Sequence, residues 1–150
     1  MSKKSPKIAT LIADCAGDPR FDPHYLGYFK CFNRQWYYEA HDVLEELWLA
    51  DRHAEDAPYY QGLIQVAGAF VHLKKNHEHP GHRTHSQRIA PAARLFQLAL
   101  RNLEPYASPH AGFDLDSLRA LCADHLRRLE AGEFQINSWS PDNAPQLILP

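Results

Sequence analysis

Apolar residues recur along this chain at spacings of three and four, the period of a helix face, and no stretch shows the strict alternation of a strand. Asp22-Pro23 supplies a cap and a first-turn proline, and Tyr25, Leu26, Phe29 and Phe32 follow at helical spacing. A break is expected at Asn33-Arg34-Gln35. After it Trp36, Ala40, Val43 and Leu47 line one face, with Tyr37, Leu44 and Trp48 beside them. Asp51 to Pro58 reads as a loop ending in a second cap, Asp56 with Pro58. The helix expected from Ala57 to Lys75 is apolar almost all round, the mark of a central element. Gly62 and Gly68 inside it each cost roughly 1 kcal/mol of helix propensity, which points to close packing at those positions.

A loop follows from Asn76 to His85, then a helix from about Ala90 that stops before Pro105. Gly112 and Asp114 open a last helix, with Leu115, Leu118, Leu121, Cys122 and Leu129 inward and Gly132 at its close. The pattern predicts an all-α fold, a compact single domain of about five helices. Residues 1–20 are expected to be a flexible arm, 21–132 the helical domain, and 133–150 an extended strap packed on it through Phe134, Ile136, Trp139, Leu147 and Leu149.

Composition narrows the picture only slightly. Hydrophobic residues make up 45% and charged residues 23% of 150 positions, ordinary globular usage for one domain. A net charge of -2 without a basic face gives no reason to expect a nucleic-acid partner. The longest apolar run, Leu63 to Val71 interrupted by Gln65, is too short to span a bilayer, so no membrane association is expected. Cys15, Cys31 and Cys122 are odd in number and lack C-x-x-C spacing, which fits a reducing compartment better than a disulfide framework, and a cytoplasmic location is expected. Cys31 is expected to be a core residue. The charge runs Glu39/Asp42/Glu46 and Arg127-Arg128 read as solvated faces. Tyr38, Tyr59 or Trp36, if outward, would form a sticky patch, and a homodimer is a candidate arrangement.

Phe32-Asn33, Tyr37, Glu39-Ala40-His41, Leu44-Glu45 and Trp48, followed by Tyr60-Gln61-Gly62-Leu63-Ile64-Gln65, resemble the motifs of the Domain of Unknown Function 309 family, from about Tyr25 to Arg128. The resemblance implies a compact helical array and brings no established biochemical role. Gln35 stands where a glycine is expected in the turn, so a softer break is expected there. A histidine-rich loop replaces a shorter Gly-Asn type of turn. Gly27 to Trp48 is also similar to one tetratricopeptide unit, but no second unit follows at that period.

The candidate chemistry lies on two polar stripes. His41 and Glu45 are four apart on one helix, and Gln61, Gln65 and His72 share a stripe on the next. As a metal-free site, His41 is the candidate proton carrier, oriented by Glu45, with Gln61, Gln65, Tyr37 and Trp48 the candidate ligand-binding set. As a metal site, His41, Glu45 and His72 offer three ligands to zinc or another divalent ion, leaving a position for water. As internal glue, the same groups satisfy one another, since an unpaired buried polar group costs roughly 1–3 kcal/mol. His77, His79, His82 and His85 are a separate candidate for weak metal binding in the loop. Three classes therefore stay open: a small-ligand-binding or hydrolase-like protein, a non-catalytic interaction module, and a metal-dependent enzyme or carrier.

Overall fold

The structure is a computed structural model and describes residues 6–81 and 87–150. Six helices follow in order: α1 (Pro6–Cys15), α2 (Pro23–Asn33), α3 (Tyr37–Ala50), α4 (Ala57–Glu78), α5 (Ile89–Leu103) and α6 (Leu115–Ala131). No strand occurs among the described residues, where a lone bridge pairs His110 with Phe113. The all-helical class is as expected, with one helix more. The extra element is α1, placed where an arm was expected. Its Ile8, Leu11 and Cys15 repeat at three and four and are buried against the domain.

Most of the punctuation of the sequence is used as it reads, but Asp56 makes no side-chain cap bond at the start of α4 and instead meets His110 Nε2 at 3.0 Å. Asp22 accepts from the His24 N–H at 2.8 Å and Pro23 takes the first turn of α2. Asp114 caps α6 by accepting from the Ser117 N–H at 3.2 Å. The break after α2 is sharp, not soft. Gln35 itself adopts φ 63°, and the Gln35 N–H to Phe32 O and Trp36 N–H to Cys31 O bonds, both 2.9 Å, close a Schellman turn. At the end of α6, Gly132 keeps φ -85° and the left-handed residues are Glu133 and Phe134. A Cβ on Gly132 would lie 3.0 Å from Ile136 Cβ, so this glycine serves packing.

Each helix packs on the next, and α4 lies between α3 and α5. The core is aromatic. Phe32 and Phe96 meet Phe70 edge-on, and Tyr37 stacks on Phe70 at 5.4 Å. Tyrosine hydroxyls buried in this cluster are paired: Tyr28 donates to Leu63 O at 2.7 Å, while Tyr25 donates to Ala111 O and contacts the Tyr59 hydroxyl at 2.7 Å. Tyr59 is therefore inside, contrary to its candidacy for an outer patch, whereas Tyr38 is exposed and Trp36 is half-buried beneath Lys7 and Arg34. Asp42 is also inside, so the acidic run is not wholly solvated. The buried thiols follow the core reading: desolvation pushes Cys31 and Cys122 up to about 12.

Residues 133–150 cross the helices as an extended strap. Asn33 fixes it like a short strand pair, donating to Leu147 O at 2.8 Å and accepting from Leu147 N–H at 2.7 Å. Asn137 donates to Leu73 O, and Trp139 Nε1 donates to the Tyr37 hydroxyl at 3.1 Å. Ser138 is buried against His125, Oγ to Nδ1 at 2.7 Å. No described helix is long and apolar enough to cross a membrane.

Two outcomes follow. Replacing Gln35 with glycine relieves a left-handed side chain worth about 1–2 kcal/mol but loosens the unfolded chain, so chemical denaturation should show Gln35→Gly neutral to stabilising by up to about 1 kcal/mol. Burial, assisted by Arg128, holds His125 down at about 4, opposed weakly by Asp124. Its folded value lies below the ordinary one, so its contribution is complete above about pH 6.5 and is lost as pH falls toward 4. The loss amounts to roughly 3 kcal/mol, and stability measured across that window should flatten by this amount in His125→Leu.

Candidate functional site

Three helices build the cleft in which residues of both predicted polar stripes meet. A cavity of about 310 Å³ opens between α3, α4 and α5, lined by Tyr38, His41, Ile64, Gln65, Gly68, Val71, His72 and Leu95. Its surface is mainly apolar, and its volume sits at the low end of ligand pockets, which run from roughly 300 to 1,000 Å³. The opening exists because Gly68 puts no side chain between α4 and α5. A Cβ there would lie 3.2 Å from Leu95 Cδ1.

Helical spacing delivers the polar groups. His41 leaves α3 one turn from Tyr38, whose ring stacks on the imidazole at 6.1 Å. His41 Nε2 is 3.4 Å from Glu45 Oε2, both side chains being one-third exposed, and His41 Nδ1 is buried without a hydrogen-bond partner. On α4, Gln65 Oε1 accepts from Asn102 Nδ2 at 2.8 Å. His72 Nδ1 lies 3.0 Å from an Arg88 guanidinium nitrogen. A guanidinium only donates, so Nδ1 accepts and the ring proton sits on Nε2. Burial, with the Arg88 charge, holds His72 below the ordinary histidine range and keeps it neutral near pH 7.

His41, Gln65 and His72 are thus brought together, while Glu45 and Gln61 stand one turn away and are not part of the cavity wall. Tyr37 belongs to the core, its hydroxyl taken by Trp139 and pushed up to about 12 by burial. Trp48 packs at the core edge under Arg52. Among the described residues no three His, Cys, Asp or Glu side chains are placed to hold a metal ion, so His41, Glu45 and His72 do not form a ligand set here. Of the loop histidines, His77 lies on α4, which extends past the expected end at Lys75, and it packs on Trp139. His79 caps that helix through its backbone, and His82 and His85 lie outside the described residues.

Arg88, Asn102, Leu95 and Tyr38 complete the site. Asn102 carried a signal, a polar residue directly before Leu103 on the apolar face of α5. Arg88 carried none, because it meets His72 across 16 residues.

The model of DUF309, a domain of unknown function, matches residues 25–84 and supports the family read from the sequence motifs. No curated protein and no solved structure matches the chain.

His41 makes one 3.4 Å contact with Glu45 and leaves its other nitrogen without a partner, so internal glue is a poor description of it. His41→Ala should change the unfolding free energy by no more than about 0.5 kcal/mol. Gln65→Leu strips Asn102 of its acceptor and should cost roughly 1 kcal/mol. A double-mutant cycle by urea denaturation should find the two additive.

Proposed function

We propose that this chain, whose residues 25–84 carry the DUF309 match, binds a small, largely apolar ligand in the cavity between α3, α4 and α5. The observation that supports the reading is the convergence of His41, Gln65 and His72 on one largely apolar opening, the usual composition of a small-molecule site. Binding is the function, and His41 in the wall, 3.4 Å from Glu45, is the candidate proton carrier for a reacting guest. A nucleophile in a recognised motif is not among the lining residues, which favours binding over hydrolysis. Three free, buried cysteines fit the reducing cytoplasm as its compartment.

A second reading has its own support. Tyr38 and Leu49, 59% and 49% exposed, are eleven residues apart and share one face of α3. Self-association through this face would place a second copy near the cavity mouth. Sedimentation equilibrium of wild type and Tyr38→Ser checks it: a concentration-dependent dimer lost in the variant supports the reading, and a wild-type monomer refutes it.

For the binding reading, titration with cyclohexanol followed by amide nitrogen–proton correlation spectra should shift Ile64, Gln65, Gly68, Val71 and Leu95 together. Val71→Trp fills the opening and should abolish these shifts while the remaining spectrum keeps its dispersion. Shifts scattered over the surface, or unchanged in Val71→Trp, contradict it.

A further inference from the structure

The hydrogen-bonding directions of the two polar α4 groups in the cavity, Gln65 and His72, are fixed by neighbours outside it, and they are not balanced. His72 accepts from Arg88 at Nδ1 and keeps its proton on Nε2, so its unused nitrogen is a donor. Gln65 spends its carbonyl oxygen on Asn102, which leaves its amide NH2 to give. His72 and Gln65 are seven residues apart on α4, about 10 Å along the axis, with Gly68 and Val71 between them. The cavity therefore offers donors along its α4 wall, with Tyr38 and His41 on the α3 side and hydrocarbon from Ile64, Val71 and Leu95.

Charge is also polarised along the opening. Tyr38 lines both this cavity and the adjoining cleft with Val71, Lys74 and Lys75, so α3 starts at the His72 end and carries Glu45 away from it. Arg88 stands at the His72 end. The adjoining cleft contributes Lys74 and Lys75 against Glu39 and Glu78, and Glu39 is already paired with Lys7 at 3.1 Å. The local excess near His72 is cationic.

Resting on the binding reading above, we propose that the ligand is a small monocarboxylic acid with an apolar body, its carboxylate directed at His72 and Arg88. The carboxylate accepts from His72 Nε2–H in the field of the Arg88 guanidinium, and the hydrocarbon lies along Gly68 between Ile64, Val71 and Leu95. Hydrogen bonds from ionised groups are about twice as strong as neutral ones, and this gives the acid its advantage over an uncharged analogue. Gly68 lets the body approach the α4 backbone, where a Cβ would otherwise compete with Leu95 for the same space.

The test uses three probes of one length at pH 7.5: heptanoate, heptanamide and 1-heptanol, titrated into wild type and Arg88→Gln with the cavity amides as readout. Heptanoate should bind wild type at least about tenfold more tightly than either neutral probe. Arg88→Gln should bring heptanoate down to the affinity of the neutral probes. Neutral probes that shift the cavity amides as strongly as heptanoate overturn the acid and leave the cavity reading standing. If none of the three shifts those amides, the cavity reading fails and the acid with it. Retention of the preference in a folded Arg88→Gln overturns the role of Arg88; should that variant not fold, the wild-type ranking decides alone.

Discussion

The close approach of α5 to α4 is the constraint on which the rest depends. At Gly62 an added Cβ would lie 2.8 Å from the Leu103 side chain, and at Gly68 it would lie 3.2 Å from Leu95. Two bare positions in a long helix are costly in propensity, and here they set the distance and register between neighbours. That register brings Asn102 opposite Gln65 and Arg88 opposite His72. One packing requirement thus bears on the polarity of the site: Gln65 and His72, both in the cavity wall, are engaged by Asn102 of α5 and by Arg88 at its N-cap.

The strap plays a different part. Asn33, at the end of α2, pairs with Leu147, and Trp139 reaches the hydroxyl of Tyr37 at the start of α3. The α2–α3 corner is therefore held from outside by residues a hundred positions away. This accounts for the tolerance of a left-handed Gln35 in a turn that favours glycine, since its neighbours on both sides are fixed. Several residues of the family motif, Asn33 and Tyr37 among them, serve this corner and not the cavity.

Much of the fold was legible because helix punctuation is local. Asp22-Pro23, Asp114 and the all-round hydrophobicity of α4 act within one or two turns of themselves, and the structure uses each as read. The helix α1 was missed because its apolar stripe, Ile8, Leu11 and Cys15, is short and surrounded by lysine, proline and glycine. For the site, spacing was enough to pair His41 with Gln65 and His72, since both stripes obey the helical period. It could not exclude Glu45 and Gln61 from the wall, because periodicity gives a face and not the depth of a side chain on it. Arg88 and Asn102 depend on the α4–α5 register, which no short-range pattern encodes. Tyr59 was misjudged for a related reason: whether a tyrosine is inside depends on finding a partner for its hydroxyl, here Tyr25.

The central claim is that α5 fixes the direction in which the α4 stripe can hydrogen-bond, so that donors face the cavity. The nitrogen chemical shifts of the His72 ring, read from long-range nitrogen–proton spectra of the ligand-free protein at pH 7, measure this most directly. The account predicts a neutral imidazole with a bare Nδ1 and a protonated Nε2. A ring protonated on Nδ1, or on both nitrogens, would contradict it.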